Sequence, residues 1–223
     1  MAHIFVSHSK KDLDLINFFA KAFAITNVKA IYEEIERRGT ATQQQVSLDI
    51  DKSRAIFILL SENVQNIEHT RDWVLWETGV AKNKDVWVFE PYNQMGRIKV
   101  AIPKVNHYVI YHINDSWLNY IKNIIDSYDD SNVLSSSIIG AGLGALVGSA
   151  LLDNKEDGAI LGGLGGAILG ASAANKSKFC PIGNKIECIK CHSVYSVHIP
   201  LGLNKIRCPV CNIALQIGNY IKL

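Results

Sequence analysis

Two groups of residues have the types and spacing that chemistry needs. Near the C-terminus, "ECIKCHSVYSVHIPLGLNKIRCPVC" holds Cys188-x2-Cys191 and Cys208-x2-Cys211, with 16 residues between the pairs. Each pair can bend into a knuckle, and four thiolates complete a tetrahedron around Zn2+. Such a site keeps no open coordination position, so its expected role is structural. A redox dithiol needs only one pair and leaves the other unexplained. His192 and His198 read as surface histidines rather than ligands, and Cys180 receives no role. The second group lies in "RDWVLWETGVA", residues 71–81, where Trp73 and Glu77 stand four apart and share one helix face. Spacing alone does not make Glu77 functional, because exposed helical glutamates are commonplace.

The elements that must position these groups follow from the apolar runs. "HIFVSH" (3–8), "VKAIYEE" (28–34), "RAIFILLS" (54–61), "DVWVFEP" (85–91) and "VNHYVIY" (105–111) are short, and several are nearly continuously apolar. That is the pattern of strands buried on both faces. Between the first four the spacing turns helical. Ser9 and Asp12 stand in capping-box positions, followed by an apolar stripe of Leu13, Ile16, Phe19 and Phe23. Thr42 and Gln45 repeat the relation, Thr70 is the expected N-cap of the helix carrying Glu77, and "DSWLNYIKNIIDSY" closes the series. "YNQMGRIK" has little helix signal, so the connection from the fourth to the fifth strand is expected to be irregular.

Strand alternating with helix predicts a five-stranded parallel sheet covered on both faces, a flavodoxin-like α/β fold. With strand order 2-1-3-4-5, ligands bind where the order reverses, between strands one and three. Ser7, His8, Ser9 and Lys10 follow strand one and lead into a helix N-terminus that can hold an anion. Glu77 is expected in the second turn of the helix after strand three, at the rim of that crevice, with Trp73 on its face. Trp76 and Val80 are expected to pack on the sheet. No GxGxxG and no Walker lysine motif is present in this region.

Residues 129–178 differ in kind. After the polar linker "DDSNVLSSS" come two apolar arms, 138–152 and 158–174, around the charged tip "DNKED". Glycines at 140, 144 and 148, and again at 158, 162, 166 and 170, recur every fourth residue. Each costs about 1 kcal/mol in a helix relative to alanine, and close helix–helix approach is the compensation. The segment reads as a helical hairpin, similar to glycine-zipper hairpins of membrane-associated bacterial proteins. The arms fall short of the roughly 20 apolar residues of a spanning helix. Insertion in a bilayer and burial within a homo-oligomer both stay open.

The 223 residues carry a net charge of +2, which favours neither nucleic acid nor acidic lipid as a partner. "MAHIFVSHSKKD" lacks a basic n-region followed by a long apolar run, so no cleaved signal peptide is expected. Paired CxxC motifs suit a reducing compartment, and the expected location is cytoplasmic. The hairpin could anchor the chain to the inner face of the membrane, with both flanking regions inside.

"HIFVSHSKKD", "YEEIERRGT", "SRAIFILLSENV" and "DWVLWETGVA", in this order over residues 1–128, resemble a TIR (Toll/interleukin-1 receptor) domain. "IERRGT" falls where that family has its BB loop, and the Trp-x-x-x-Glu pattern resembles its prokaryotic NAD-consuming branch. The resemblance implies a fold of five parallel strands and cleavage of NAD+, giving ADP-ribose or a cyclic product. It implies Glu77 at the catalytic position and Trp73 as an aromatic wall. Ser7, His8, Ser9 and Lys10 would line the nucleotide, with Arg37, Arg38 and Gly39 closing over it. It also implies activation by self-assembly and a role in antiphage defence or cell suicide. Residues 179–223 resemble a zinc ribbon, which could recognise a partner or cap the assembly. Two other readings stand beside the enzyme: a scaffold that only binds other TIR domains, and a membrane-disrupting hairpin with the TIR domain as sensor.

Overall fold

The computed structural model describes residues 1–32, 43–81, 83–129 and 183–217. Arg37, Arg38, Gly39, Thr42, Cys180 and the whole hairpin lie outside them. The elements are β1 (His3–Ser7), α1 (Leu13–Ala24), β2 (Lys29–Tyr32), α2 (Gln43–Lys52), β3 (Ala55–Leu59), α3 (Glu62–Asn66), α4 (Glu68–Val80), β4 (Asp85–Pro91), β5 (His107–Tyr111) and α5 (Asp115–Asp126). A 3-10 turn, Tyr92–Gln94, opens the otherwise irregular β4–β5 connection. The C-terminal region adds β6 (Asn184–Glu187), β7 (Val194–His198), β8 (Lys205–Arg207) and β9 (Ala214–Gln216).

The sheet runs β2-β1-β3-β4-β5-β7-β6, and the first five strands are parallel in the expected order. It has seven strands where five were predicted. β7 adds to β5 in parallel, His107 against Ser196, and β6 returns antiparallel to β7. The physical reason lies in β5. All of "HYVIY" except His107 is buried, so this strand needs a neighbour on its second side. β8 and β9 form a separate antiparallel pair. Among the described residues, no helix is long and apolar enough to cross a membrane.

Side chains alternate across the sheet with period two. Ile4, Val6, Ala55, Phe57, Leu59, Trp87, Phe89, Val109 and Tyr111 pack on one face with Leu15, Phe19 and Phe23 of α1 and Trp117, Ile121 and Ile125 of α5. Phe5, Ile56, Ile58, Val86, Val88 and Ile110 pack on the other with Val46 and Ile50 of α2 and Val74 of α4. That second core continues without a break into Tyr195, Val197, Cys208 and Ile217 of the C-terminal region.

Several local expectations need correction. The Ser9–Asp12 box does not form: Asp12 is the N-cap residue of α1 but makes no capping bond, because its carboxylate accepts instead from Ser61 and Asn63. Leu13 is exposed, and Leu15, Phe18, Phe19, Ala22 and Phe23 form the buried stripe. The helix bearing Glu77 starts at Glu68, with Ile67 rather than Thr70 before it, because the chain turns extended at Ile67 between α3 and α4. The closing helix is capped by Asn114, whose Oδ1 accepts from Trp117 N at 3.1 Å.

His198 is not a surface residue. It is 4% exposed at the β5–β7 joint, where Tyr120 of α5 meets its Nδ1 and His107 Nδ1 lies 3.3 Å from its Nε2. Trp87 stacks on His107 with ring centroids 3.7 Å apart. A Cβ on Gly183 would come within 2.8 Å of the His198 ring, so the position admits no side chain without a shift. Burial pushes His107 from 6.5 down to about 4; burial and then the His107 charge push His198 down to about 3. In the unfolded chain both take up protons near pH 6.5, whereas the folded chain refuses them. The stability present above pH 6.5 is therefore lost as pH falls towards 4. His198→Gln should lose less stability than the parent between pH 6.5 and pH 4, measured by urea unfolding at each pH.

Candidate functional site

The strand order reverses between β1 and β3, and the crevice at their carboxyl ends is built from short polar side chains. Ser7 ends β1 in register with Ile58 of β3, and falls on the sheet face that α4 covers. Ser7 and Ser9 are 1% and 2% exposed. His8 is half-buried, its Nδ1 3.2 Å from Val6 O and its ring edge-on to Tyr32 at 5.8 Å. Lys10 is half-buried at the turn into α1. Burial raises the Tyr32 hydroxyl to about 12, so it is a neutral donor at neutral pH. Ser7 Oγ and Tyr32 OH are buried without a hydrogen-bond partner among the described residues. Buried polar atoms of this kind are uncommon and call for an explanation.

A clamp that sequence reasoning missed closes the floor of the crevice. Ser61, fully buried at the end of β3, donates to Asp12 and accepts from Val64 N at 3.2 Å, capping α3. Asn63 Nδ2 donates to the other Asp12 oxygen at 2.6 Å. The available signal was Ser61 directly before "ENV", a helix-start pattern.

Glu77 is not at the rim. It is 0% exposed, on a buried stripe of α4 with Val74 and Thr78 that continues into Ala81 at the helix C-cap. Trp76 and Val80, expected on the sheet face, are partly buried and pack against this core. The earlier helix start explains the shift: nine residues beyond Glu68 place Glu77 roughly 13 Å along the axis. Trp73 stands one turn closer to the mouth. It is half-buried, its ring 5.1 Å from Trp76 and stacked on His69 at 6.2 Å. Its buried Nε1 has no partner among the described residues.

The four cysteines do come together. Their sulfurs lie within 4.8 Å of one another, Cys188 to Cys211 at 3.6 Å and Cys191 to Cys208 at 3.8 Å. Four sulfurs about 2.3 Å from one zinc ion are about 3.8 Å apart, so the spacing fits tetrahedral Zn2+. The two knuckles repeat one geometry. Cys188 N donates to Ser193 O at 2.9 Å and Cys208 N to Ile213 O at 2.8 Å. His192 and Asn212, the residues after each second cysteine, have φ of 57° and 60°. Burial pushes the Cys208 thiol up to about 12, so a cation is what would hold it as thiolate. His192 is an exposed neighbour of Glu187 and takes no part.

The family described as Glycine zipper 2TM domain matches residues 136–178. Among curated proteins nothing matches the chain. Among solved structures, the chain is similar to the TIR domains in the structure of the activated Roq1 resistosome directly recognizing the pathogen effector XopQ. That similarity has 12% identity and a TM-score of 0.35, over 60% of this chain and 78% of that one.

Proposed function

We propose that the chain is a TIR-type NAD+ nucleosidase, with Glu77 as its catalytic residue, switched on by self-assembly. The observation that carries this reading is Glu77 itself, a carboxylate on the sheet-facing stripe of α4, with Trp73 one turn towards the crevice mouth. Ser7 Oγ, Tyr32 OH and Trp73 Nε1 are buried polar atoms that have no hydrogen-bond partner among the described residues. They fit the hydroxyls and phosphates of a nucleotide.

The chemistry needs little more. The bond from ribose C1 to the nicotinamide nitrogen breaks, and its electron pair leaves with neutral nicotinamide. No general acid is required. Positive charge builds on the ribose, and a carboxylate fixed beside it stabilises that oxocarbenium-like state. Water then adds at C1 and loses a proton, giving ADP-ribose; capture by the adenine of the same molecule gives the cyclic product instead. Trp73 can bias the choice by stacking the folded substrate. His8, Ser9, Lys10, Arg37, Arg38 and Gly39 are assigned to nucleotide binding. The glycine-zipper hairpin is assigned to clustering, within a membrane or within an oligomer, in a cytoplasmic defence or cell-death response.

The burial of Glu77 also favours a second reading, a TIR–TIR scaffold without turnover, in which the closed site never opens. Nicotinamide release from NAD+ by the concentrated full chain separates the two. The enzyme reading expects release that rises more than linearly with protein concentration and falls when Gly144 and Gly162 become Leu. The scaffold reading expects none at any concentration.

A further inference from the structure

We infer that the four-cysteine site is a fastening for the TIR-like sheet, holding the β4–β5 connection and through it α3, so that metal occupancy controls the order of the crevice. The inference goes beyond the NAD+ reading, and its structural part stands without it.

Three cross-connections tie the second knuckle to that connection. Ile102 N donates to Pro209 O, between Cys208 and Cys211, at 2.7 Å. Asn212 Nδ2 donates to Lys99 O at 2.8 Å. Arg207 bridges Gly96 O at 3.3 Å and Asn212 O at 3.0 Å. Ile98, Val100, Ile102 and Val105 of the same connection are buried in the core that contains Cys188 and Cys208. This is the dense polar and apolar contact of one folding unit rather than the sparse contact of a tethered module.

The connection in turn braces α3. Lys99 N donates to Gln65 Oε1, Glu62 N donates to Gln94 Oε1 at 2.9 Å, and Arg97 pairs with Glu62 at 2.9 Å. α3 begins at the residue after Ser61, the member of the Asp12 clamp. Glu90, 3% exposed, sits under the connection and accepts from Tyr108 OH and from Gly96 N at 3.2 Å. A contiguous set of contacts is not yet coupling. The physical cause of coupling is the knuckle: Pro209 O and Asn212 are held in place only while Cys208 and Cys211 are tied to the other pair. Four unligated thiols packed within 4.8 Å would not hold it.

The test is hydrogen exchange on the full chain, loaded with Zn2+ and then stripped with a chelator, without NAD+. Residues 61–66, 95–102 and 107–111 should exchange at least about tenfold faster in the stripped protein. Asn212→Gly keeps the positive φ and the cysteines but removes the bond to Lys99. It should still bind one Zn2+ per chain, read by metal analysis, and speed exchange at 95–102 by about tenfold. Faster exchange confined to 184–217 on stripping, or failure of the parent to bind Zn2+, overturns the inference. Because exchange is read without substrate, its outcome is separate from whether the chain cleaves NAD+.

Discussion

Glu77→Gln is expected to cut nicotinamide release from NAD+ by about 100- to 1,000-fold, with the loss in kcat rather than KM. The scale is that of removing one preorganised electrostatic group from a transition state. Glutamine keeps the volume and shape of glutamate, so this fully buried position stays filled. Stability should change by less than about 2 kcal/mol, the range of an ordinary single substitution. Paired kinetics and urea unfolding check both halves. Activity lost together with cooperative unfolding would mean Glu77 is structural. Activity retained in full would mean that another group does the chemistry.

Asp12→Ala is expected to destabilise the fold by about 3 kcal/mol, and Asp12→Asn by less. Asp12 is 7% exposed and accepts from both Ser61 and Asn63. Charged acceptors contribute about 1.5–3 kcal/mol per bond, and the alanine leaves Ser61, fully buried, with one fewer partner. The clamp joins the start of α1 to the start of α3, on the two sides of the crevice. The damage should therefore also appear as a raised KM for NAD+ at temperatures where the variant is folded. Unfolding curves and KM together check this. Lost stability with an unchanged KM would separate the clamp from the nucleotide site.

Much of the fold was legible because periodicity is a local property. Continuous apolar runs such as "AIFIL" marked strands buried on both faces, and the spacing between them marked helices. The first five strands follow the flavodoxin-like order expected for a chain in which strand alternates with helix. What failed depended on long-range partners. The capping box at Ser9 and Asp12 was a sound local pattern, overridden by Ser61 and Asn63 about 50 residues away. The docking of β7 on β5 was not encoded in "VYSVH", which alternates as any hairpin strand does. The signal was in "HYVIY", too apolar for an edge. His198 was misjudged for the same reason, since its burial comes from Tyr120 and His107 on other elements.

The candidate site was legible in type and less so in depth. The spacing of Trp73 and Glu77 gave a shared face; a helix start two residues before Thr70 moved Glu77 from rim to interior. The cysteine spacing was legible in full, because a tetrahedron of thiolates constrains sequence separation directly. Its attachment to the sheet was not, since Pro209 O and Asn212 Nδ2 reach the β4–β5 connection through contacts that no spacing rule describes.

The most direct measurement is mass spectrometry of NAD+ incubated with the concentrated, zinc-loaded full chain in 18O-labelled water. The expected products are nicotinamide without label, matched mole for mole by ADP-ribose carrying one 18O or by its unlabelled cyclic form. Intact NAD+ at every protein concentration would contradict it, as would cleavage at the pyrophosphate instead of the nicotinamide–ribose bond.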